Sequence, residues 1–135
     1  MEPALIAKLL ATAGVTALSG TRINWSRRPQ GETIPAGKSS LVLHRIDGEP
    51  DYHLQAPSGL VASRVQADCW AHSYGAAKAL ARSVEAALSG QAFVQGAIRF
   101  DVILIVDERD STFDEAPDTL FRTSLDLMVH HASAS

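Results

Sequence analysis

The chain has only one cysteine and no long apolar run, and both shortages exclude whole classes of protein. A single cysteine among 135 residues cannot form an internal disulfide, which excludes the small disulfide-stabilised secreted domains. No apolar stretch approaches the roughly 20 residues that span a bilayer. The first residues also lack the basic region and continuous apolar core of a signal peptide. We therefore expect a protein without a membrane segment that is made in a reducing cytoplasm.

Motifs that carry catalysis are also missing from the sequence. It contains no G-x-S-x-G, phosphate-binding loop, dinucleotide fingerprint or H-E-x-x-H. Cys69 and His72 have the C-x-x-H spacing of half a zinc site or of a thiol–imidazole pair. On an extended strand, however, these two side chains would point to opposite faces. We interpret Cys69 as a small core residue and predict no catalytic residue and no cofactor. A small Cys/His-dependent hydrolase or metal-binding enzyme is the rival hypothesis.

Four other histidines stand in pairs, and neither pair predicts a metal site. His44 and His53 flank an Asp-Gly turn signal and could approach one another, but no third ligand is arranged beside them. His130 and His131 are adjacent, so on a strand they would face opposite ways. We therefore predict no metal.

Composition and charge indicate a single globular domain over residues 1–135. Apolar residues make up 46% and charged residues 20% of the chain, and the formal net charge is −3, which argues against a strong nucleic-acid binder. Residues 1–64 carry seven basic and five acidic side chains, whereas residues 65–135 carry five and ten. The two halves thus have net charges of +2 and −5, an asymmetry that fits an assembly in which unlike surfaces meet.

The segment from Val61 to Leu88 predicts a strand that leads through one cap residue into a helix. Alternate strand residues are small or apolar, which predicts burial of one face only: Val61, Ser63, Val65, Ala67, Cys69 and Ala71. Ser73 stands at the N-cap position, and Ser89-Gly90 supplies a left-handed stop. Apolar residues between them recur at helical spacing: Tyr74, Ala77, Leu80, Ala81, Val84, Ala87 and Leu88.

The remaining pattern predicts an α+β domain, a mostly antiparallel sheet of about five strands with two helices packed on one face. A first helix is predicted from Pro3 and ends between Ala17 and Gly20. Three strands are predicted at Arg22–Ser26, Leu41–Ile46 and Leu120–His130. One further strand precedes the last of these, and its first face holds Ile98, Phe100, Val102, Leu104 and Val106. The last two strands are expected to form a hairpin around an acidic loop, Glu108–Thr119.

Two predicted loops supply candidate contact residues. Arg27, Arg28 and Lys38 lie in a loop rich in proline and glycine, which suits either a plain surface loop or a contact with a subunit or with DNA. The acidic loop contributes Asp110, Asp114 and Glu115. It departs from a calcium-binding loop of the EF-hand type, which needs glycine at its sixth position. We therefore interpret it as a solvated loop or as a charged contact with another subunit.

Four stretches of the chain resemble the tail-completion, or tail-terminator, family of long-tailed bacteriophages and phage-derived gene transfer agents. They are Gly48-Glu49-Pro50, Gly59-Leu60, Arg64-Val65-Gln66-Ala67-Asp68-Cys69-Trp70 and the helix from Tyr74 to Leu88. The order and length of the other elements match as well, so the resemblance spans about Leu5 to Val129. Its motifs are structural rather than catalytic.

This resemblance implies a structural virion protein that forms a ring, expected to be a hexamer, at the head-proximal end of the tail tube. The ring would end tube polymerisation and join the tail to the head. The implied partners are other copies of the chain, the tail tube protein and a head–neck connector or stopper protein. DNA would pass through the lumen without sequence-specific binding. The protein would be found at the tail–neck junction of the particle and in the bacterial cytoplasm during assembly. Another neck or minor tail protein, or a monomeric binding domain, are the alternatives.

Overall fold

A computed structural model describes residues 2–20, 22–25, 38–46, 61–96, 98–115 and 118–133 of the chain. Within these ranges the helices are α1 Glu2–Leu10, α2 Ala13–Ser19 and α3 Tyr74–Leu88. The strands are β1 Ile23–Trp25, β2 Ser39–Arg45, β3 Val61–Ala71, β4 Phe93–Gln95, β5 Ile98–Glu115 and β6 Asp118–Ser133.

The strands form one curled sheet in the order β1-β2-β3-β6-β5-β4. Only the short β1–β2 pair is parallel, and the other described pairs are antiparallel. The α+β class and the mostly antiparallel sheet are thus confirmed. The predicted numbers are too low, because the described residues contain six strands and three helices.

The predicted first helix is in fact two helices separated at Thr12. Thr12 has an extended backbone, and its hydroxyl donates to the Lys8 carbonyl at 2.8 Å, which satisfies an acceptor at the end of α1. The Thr12 carbonyl then accepts from the amides of Val15 and Thr16, both at 3.1 Å, and so starts α2. The Thr12 hydroxyl thus takes the place of a backbone amide at the Lys8 carbonyl, at the position where the two helices separate.

The predicted strand, cap residue and helix between Val61 and Leu88 are confirmed by β3, Ser73 and α3. The Ser73 hydroxyl accepts a hydrogen bond from the Ala76 amide at 3.1 Å, and Gly90 has a φ of +68° just after the helix. The buried residues of α3 lie at the predicted spacing: Ala77, Leu80, Ala81, Val84 and Leu88. Tyr74, at the start of the predicted apolar face, is instead exposed. The five described side chains on the predicted inner face of β3 are all buried: Ser63, Val65, Ala67, Cys69 and Ala71.

The outer face of β3, away from the helices, differs from its prediction at one position. Asp68 is only 3% exposed although it alternates with the core residues. Its carboxylate accepts from the Ser124 hydroxyl at 2.7 Å and lies 3.1 Å from His44 Nε2. Because β3 lies between β2 and β6, side chains of both neighbouring strands flank this carboxylate and satisfy it.

The strand β5 corrects two predictions. Shifts in its register against β6 occur between Phe100 and Val102 and between Ile105 and Asp107. Each extra residue changes which face the following side chains occupy, so Ile103 is buried whereas Leu104 and Val106, predicted to share the face of Phe100, are exposed. The predicted acidic loop is also wrong, because β5 continues to Glu115 and pairs with β6 along that length.

Gly90 and Gly75 provide a matched test of this backbone. At both sites a Cβ would have no other atom within 4 Å, but only Gly90 has a positive φ. We expect Gly90→Ala to lower the free energy of unfolding by about 1 kcal/mol, because alanine resists the left-handed conformation. Gly75→Ala, inside α3, should be neutral or stabilising. Urea denaturation of both variants measures the difference, and equal effects would contradict the assigned helix end.

Candidate assembly surfaces

An ion cluster joins α3 to the part of β5 that was expected to be a loop. Lys78, one turn into the helix, pairs with Glu108 and with Asp110, the latter at 2.9 Å. Arg82, one turn further along, donates to both oxygens of Glu108 at 2.8 Å. Residues four apart lie on the same side of a helix, so both cations reach the same strand. The cluster therefore holds the distal half of β5 against α3.

The ion pairs shift the proton affinities of the two carboxylates. Hydrogen bonds from Arg82 and Lys78 lower the pKa of Glu108 from 4.5 to about 2. The hydrogen bond from Lys78 lowers the pKa of Asp110 as well. The same contacts raise the pKa values of Lys78 and Arg82, with the hydrogen bond to Glu108 as the largest cause for each. The cluster is consequently fully charged at neutral pH.

Three aliphatic side chains of β4 and β5 are exposed. Val94 is 59% exposed, Leu104 45% and Val106 51%. The pairing of Val94 with Arg99, and of Leu104 with Met128, puts Val94 and Leu104 on the sheet face opposite the helices. Arg99, the partner of Val94, and Leu104 are five residues apart on β5, so the exposed side chains of Val94 and Leu104 are separated along the strand.

A second apolar surface lies at the other end of the sheet, between α1 and β1. It is an open depression of about 400 Å³ lined by Pro3, Ile6, Ala7, Leu10 and Trp25. We call it the α1–β1 depression. Leu10 at its border is 41% exposed. Among the described lining residues none is charged, so this surface also offers only apolar contact.

The predicted contact residues occupy separate parts of the structure. Lys38 is exposed, and its ammonium donates to the Ala17 carbonyl at 3.2 Å near the end of α2. Asp110 belongs to the ion cluster and also accepts from the Thr123 hydroxyl at 2.9 Å. The backbones of Asp114 and Glu115 pair with Thr119 and Asp118 at the end of the hairpin. Arg27 and Arg28 lie outside the described residues. A role for any of these side chains in assembly stays a prediction.

Among the residues that the structure describes, those behind the rival enzyme hypothesis show no reactive site. Cys69 is fully buried, as predicted, and burial raises the pKa of its thiol, which makes it a poor nucleophile. His44 contacts Asp68, and His53 is outside the described ranges. His131 Nε2 lies 3.0 Å from the Ser63 hydroxyl, while His130 is on the opposite strand face. In the described part of the chain, no three His, Cys, Asp or Glu side chains are grouped for a metal.

The ion cluster gives a pH-dependent contribution to stability that substitution can test. Because the pKa of Glu108 is lower in the folded chain, its contribution is present above about pH 4.5 and disappears as the pH falls toward 2. We expect Glu108→Gln to lower the free energy of unfolding by about 1–2 kcal/mol at pH 7. Denaturation of variant and wild type across this pH range should show the difference shrinking on acidification.

The matched control for this substitution is Asp101→Asn. Asp101 is on the same strand, and within the described ranges its ion-pair partner is Arg99, two residues earlier, in an exposed contact at 2.8 Å. Such a pair contributes about 0.5 kcal/mol or less. A loss at Asp101 as large as the loss at Glu108 would contradict a special role for the cluster.

Comparisons with known proteins bear on the identity of this fold. A family model described as Tail completion protein gp17 matches residues 3–131. A chain of a solved structure described as "Virion of native gene transfer agent (GTA) particle" is similar with a TM-score of 0.71 and 20% sequence identity. That alignment covers 98% of this chain and 94% of the other, and at this identity it supports the fold alone. No curated protein matches the chain.

Within the residues that the structure describes, none of the helices has the length and apolar character required to cross a membrane. The family match extends over nearly the whole chain, from α1 to near the end of β6, and includes each of the surfaces described above. The chain belongs to the Tail completion protein gp17 family, and it is thereby a structural protein of the tail of a phage or phage-like particle.

Proposed function

We propose that this protein forms a ring on the head-proximal end of the tail tube, where it ends tube polymerisation and joins the tail to the head. The observation that carries the proposal is the family match over residues 3–131. The similarity of the fold to a chain of a gene transfer agent particle supports it, because nearly all of both chains is aligned.

The distribution of charge is compatible with a closed ring. Each subunit of a ring meets its two neighbours through different surfaces. The N-terminal half of the chain has a net charge of +2 and the C-terminal half −5, an asymmetry that suits attraction between unlike surfaces of successive copies. A hexamer is the subunit number that we propose, from the resemblance of the sequence to tail terminators.

The same arrangement suits the partners that the proposal names. One side of the ring would contact the tail tube protein, and the other a head–neck connector or stopper protein. DNA would pass through the lumen, and a chain with a net charge of −3 would not retain it by strong phosphate contacts. The burial of Cys69 leaves no described thiol available for the rival hydrolase reaction.

Tube growth in the presence of the protein tests the proposal. Purified protein is added to growing tail tubes from the same particle, and tube lengths and ends are measured by negative-stain microscopy. We expect elongation to stop, with a ring visible at one end of each tube. Light scattering of the protein alone then determines whether the ring also forms without a tube. Tubes that elongate normally and carry no added density at either end would contradict the proposal.

A further inference from the structure

We propose that the edge of β5 away from β6, between Asp107 and Thr112, takes up a strand from the basic region of a neighbouring copy of this chain. We call this part of the strand the β5 edge. The inference rests on the proposed ring and adds one surface through which the copies meet. A strand edge without a neighbour presents backbone amide and carbonyl groups with which a strand of another chain can pair. The backbone makes such a contact, and the side chains beside it select the partner.

The strands of the described chain cover only a short part of this side of β5. β4 pairs with it at Ile98–Phe100, and the Gly90 amide donates to the Ile103 carbonyl at 2.8 Å. Beyond Ile103, none of the described strands pairs with this side. On its other side, β5 pairs with β6 without a register shift from Asp107 to Glu115, so the strand is regular there. An added strand can therefore continue the sheet at the β5 edge.

Side chains on both faces of the sheet are exposed along the β5 edge. Asp107 and Arg109 lie on the face opposite the helices and are exposed. Asp110 and Thr112 lie on the other face and are exposed as well. A strand inside a covered sheet buries at least one of its faces. The backbone between these side chains is therefore accessible to another chain.

The charges along this part of β5 disfavour pairing between two β5 edges. Residues 107–115 carry five acidic side chains and one basic side chain, a net charge of −4. Like charges on facing strands repel one another, so a second β5 edge is a poor partner. A basic strand is a good partner for the same reason. The contact is thus one between unlike surfaces, which is the kind that closes a ring.

The chain itself contains a stretch with the complementary charge. Residues 22–45 carry five basic side chains and one acidic side chain, a net charge of +4. This stretch includes β1, the terminal strand at the other end of the sheet, and the exposed cations Lys38 and Arg45 on either side of the main part of β2. β3 and β6 lie between β2 and β5 in the sheet. The two charged regions are thus in different parts of one copy, which suits contact of each copy with the next.

Hydrogen exchange of the assembled protein tests whether the β5 edge is paired. Alternate amides of a strand point to opposite sides, so about three of those between Asp107 and Thr112 are directed away from β6. Rings on tail tubes and unassembled protein are exchanged in parallel, and this segment is measured by mass spectrometry. We expect about three additional slow amides in the rings. An unchanged number of slow amides in the rings would overturn the inference and leave the proposed function intact.

Photocrosslinking identifies the partner strand. Thr112→Cys protein is labelled with benzophenone maleimide, assembled with isotopically heavy wild type and irradiated, and the crosslinked sites are determined by mass spectrometry. We expect crosslinks to residues 22–45 of heavy copies. Wild type is the background control because its one cysteine, Cys69, is buried, and Ala86→Cys, exposed on α3, is the positional control.

The other outcomes of crosslinking separate the inference from the proposed function. Crosslinks from Thr112→Cys in rings that map to the tail tube protein, or to no site within residues 22–45, would overturn the assigned partner and leave the ring intact. If wild type forms no ring with or without tail tubes, the proposed function itself fails, and this inference fails with it.

A charge reversal supplies a second readout with a matched control. Asp107 and Asp101 both belong to β5, and each pairs at 2.8 Å with an arginine two residues away. Only Asp107 belongs to the β5 edge, so Asp107→Lys should reduce the yield of rings roughly fivefold or more through repulsion of the basic partner. Asp101→Lys should give nearly the wild-type yield. Thermal unfolding verifies that both variants fold, and equal ring yields from the two would overturn the inference.

Discussion

The pairing of β6 with two long strands is the constraint that fixes the remainder of this fold. β6 pairs with β3 from Phe121 to His131 and with β5 over nearly its whole length. Its inward side chains Leu125, Leu127 and Val129 are fully buried in the core that α3 covers. A one-residue slip would turn these side chains outward and bring Ser124 and Asp126 into the apolar core. Burial thus fixes the register of β6 against β3 and β5.

The exposure of Leu104 follows directly from the way β5 departs from regular pairing. Without its register shifts, β5 would continue the alternation that begins at Phe100, and Leu104 would face the core. The shift near Asp101 buries Ile103 instead and exposes Leu104, and a second shift follows at Val106. A large aliphatic side chain is thereby exposed on a strand that also contributes Phe100 and Ile103 to the core.

The sequence predicted best where local signals agree. Alternation in β3, the serine cap and helical spacing in α3 act within a few residues of each other, and all three features are present in the structure. The prediction of an acidic loop after Val106 was wrong because the residues that pair with this segment are distant in sequence. Glu108 and Asp110 suit a solvated loop when they are considered alone, but they meet Lys78 and Arg82, which lie about 30 positions earlier. The three-residue strand β4 and the register shifts leave no periodic signal either. The exposure of Leu104 therefore could not be predicted from the sequence and is known only from the structure.

Residues 107–115 thus belong to strand β5, and the ion cluster joins this part of the strand to α3. Amide hydrogen exchange, measured by NMR on the unassembled protein, is the decisive test of this strand. We expect alternate amides between Asp107 and Thr112, those directed at β6, to exchange slowly, as the amides of β3 do. Glu108→Gln should speed their exchange and leave β3 unchanged. Uniformly fast exchange across this segment in wild type would contradict the strand and restore the acidic loop.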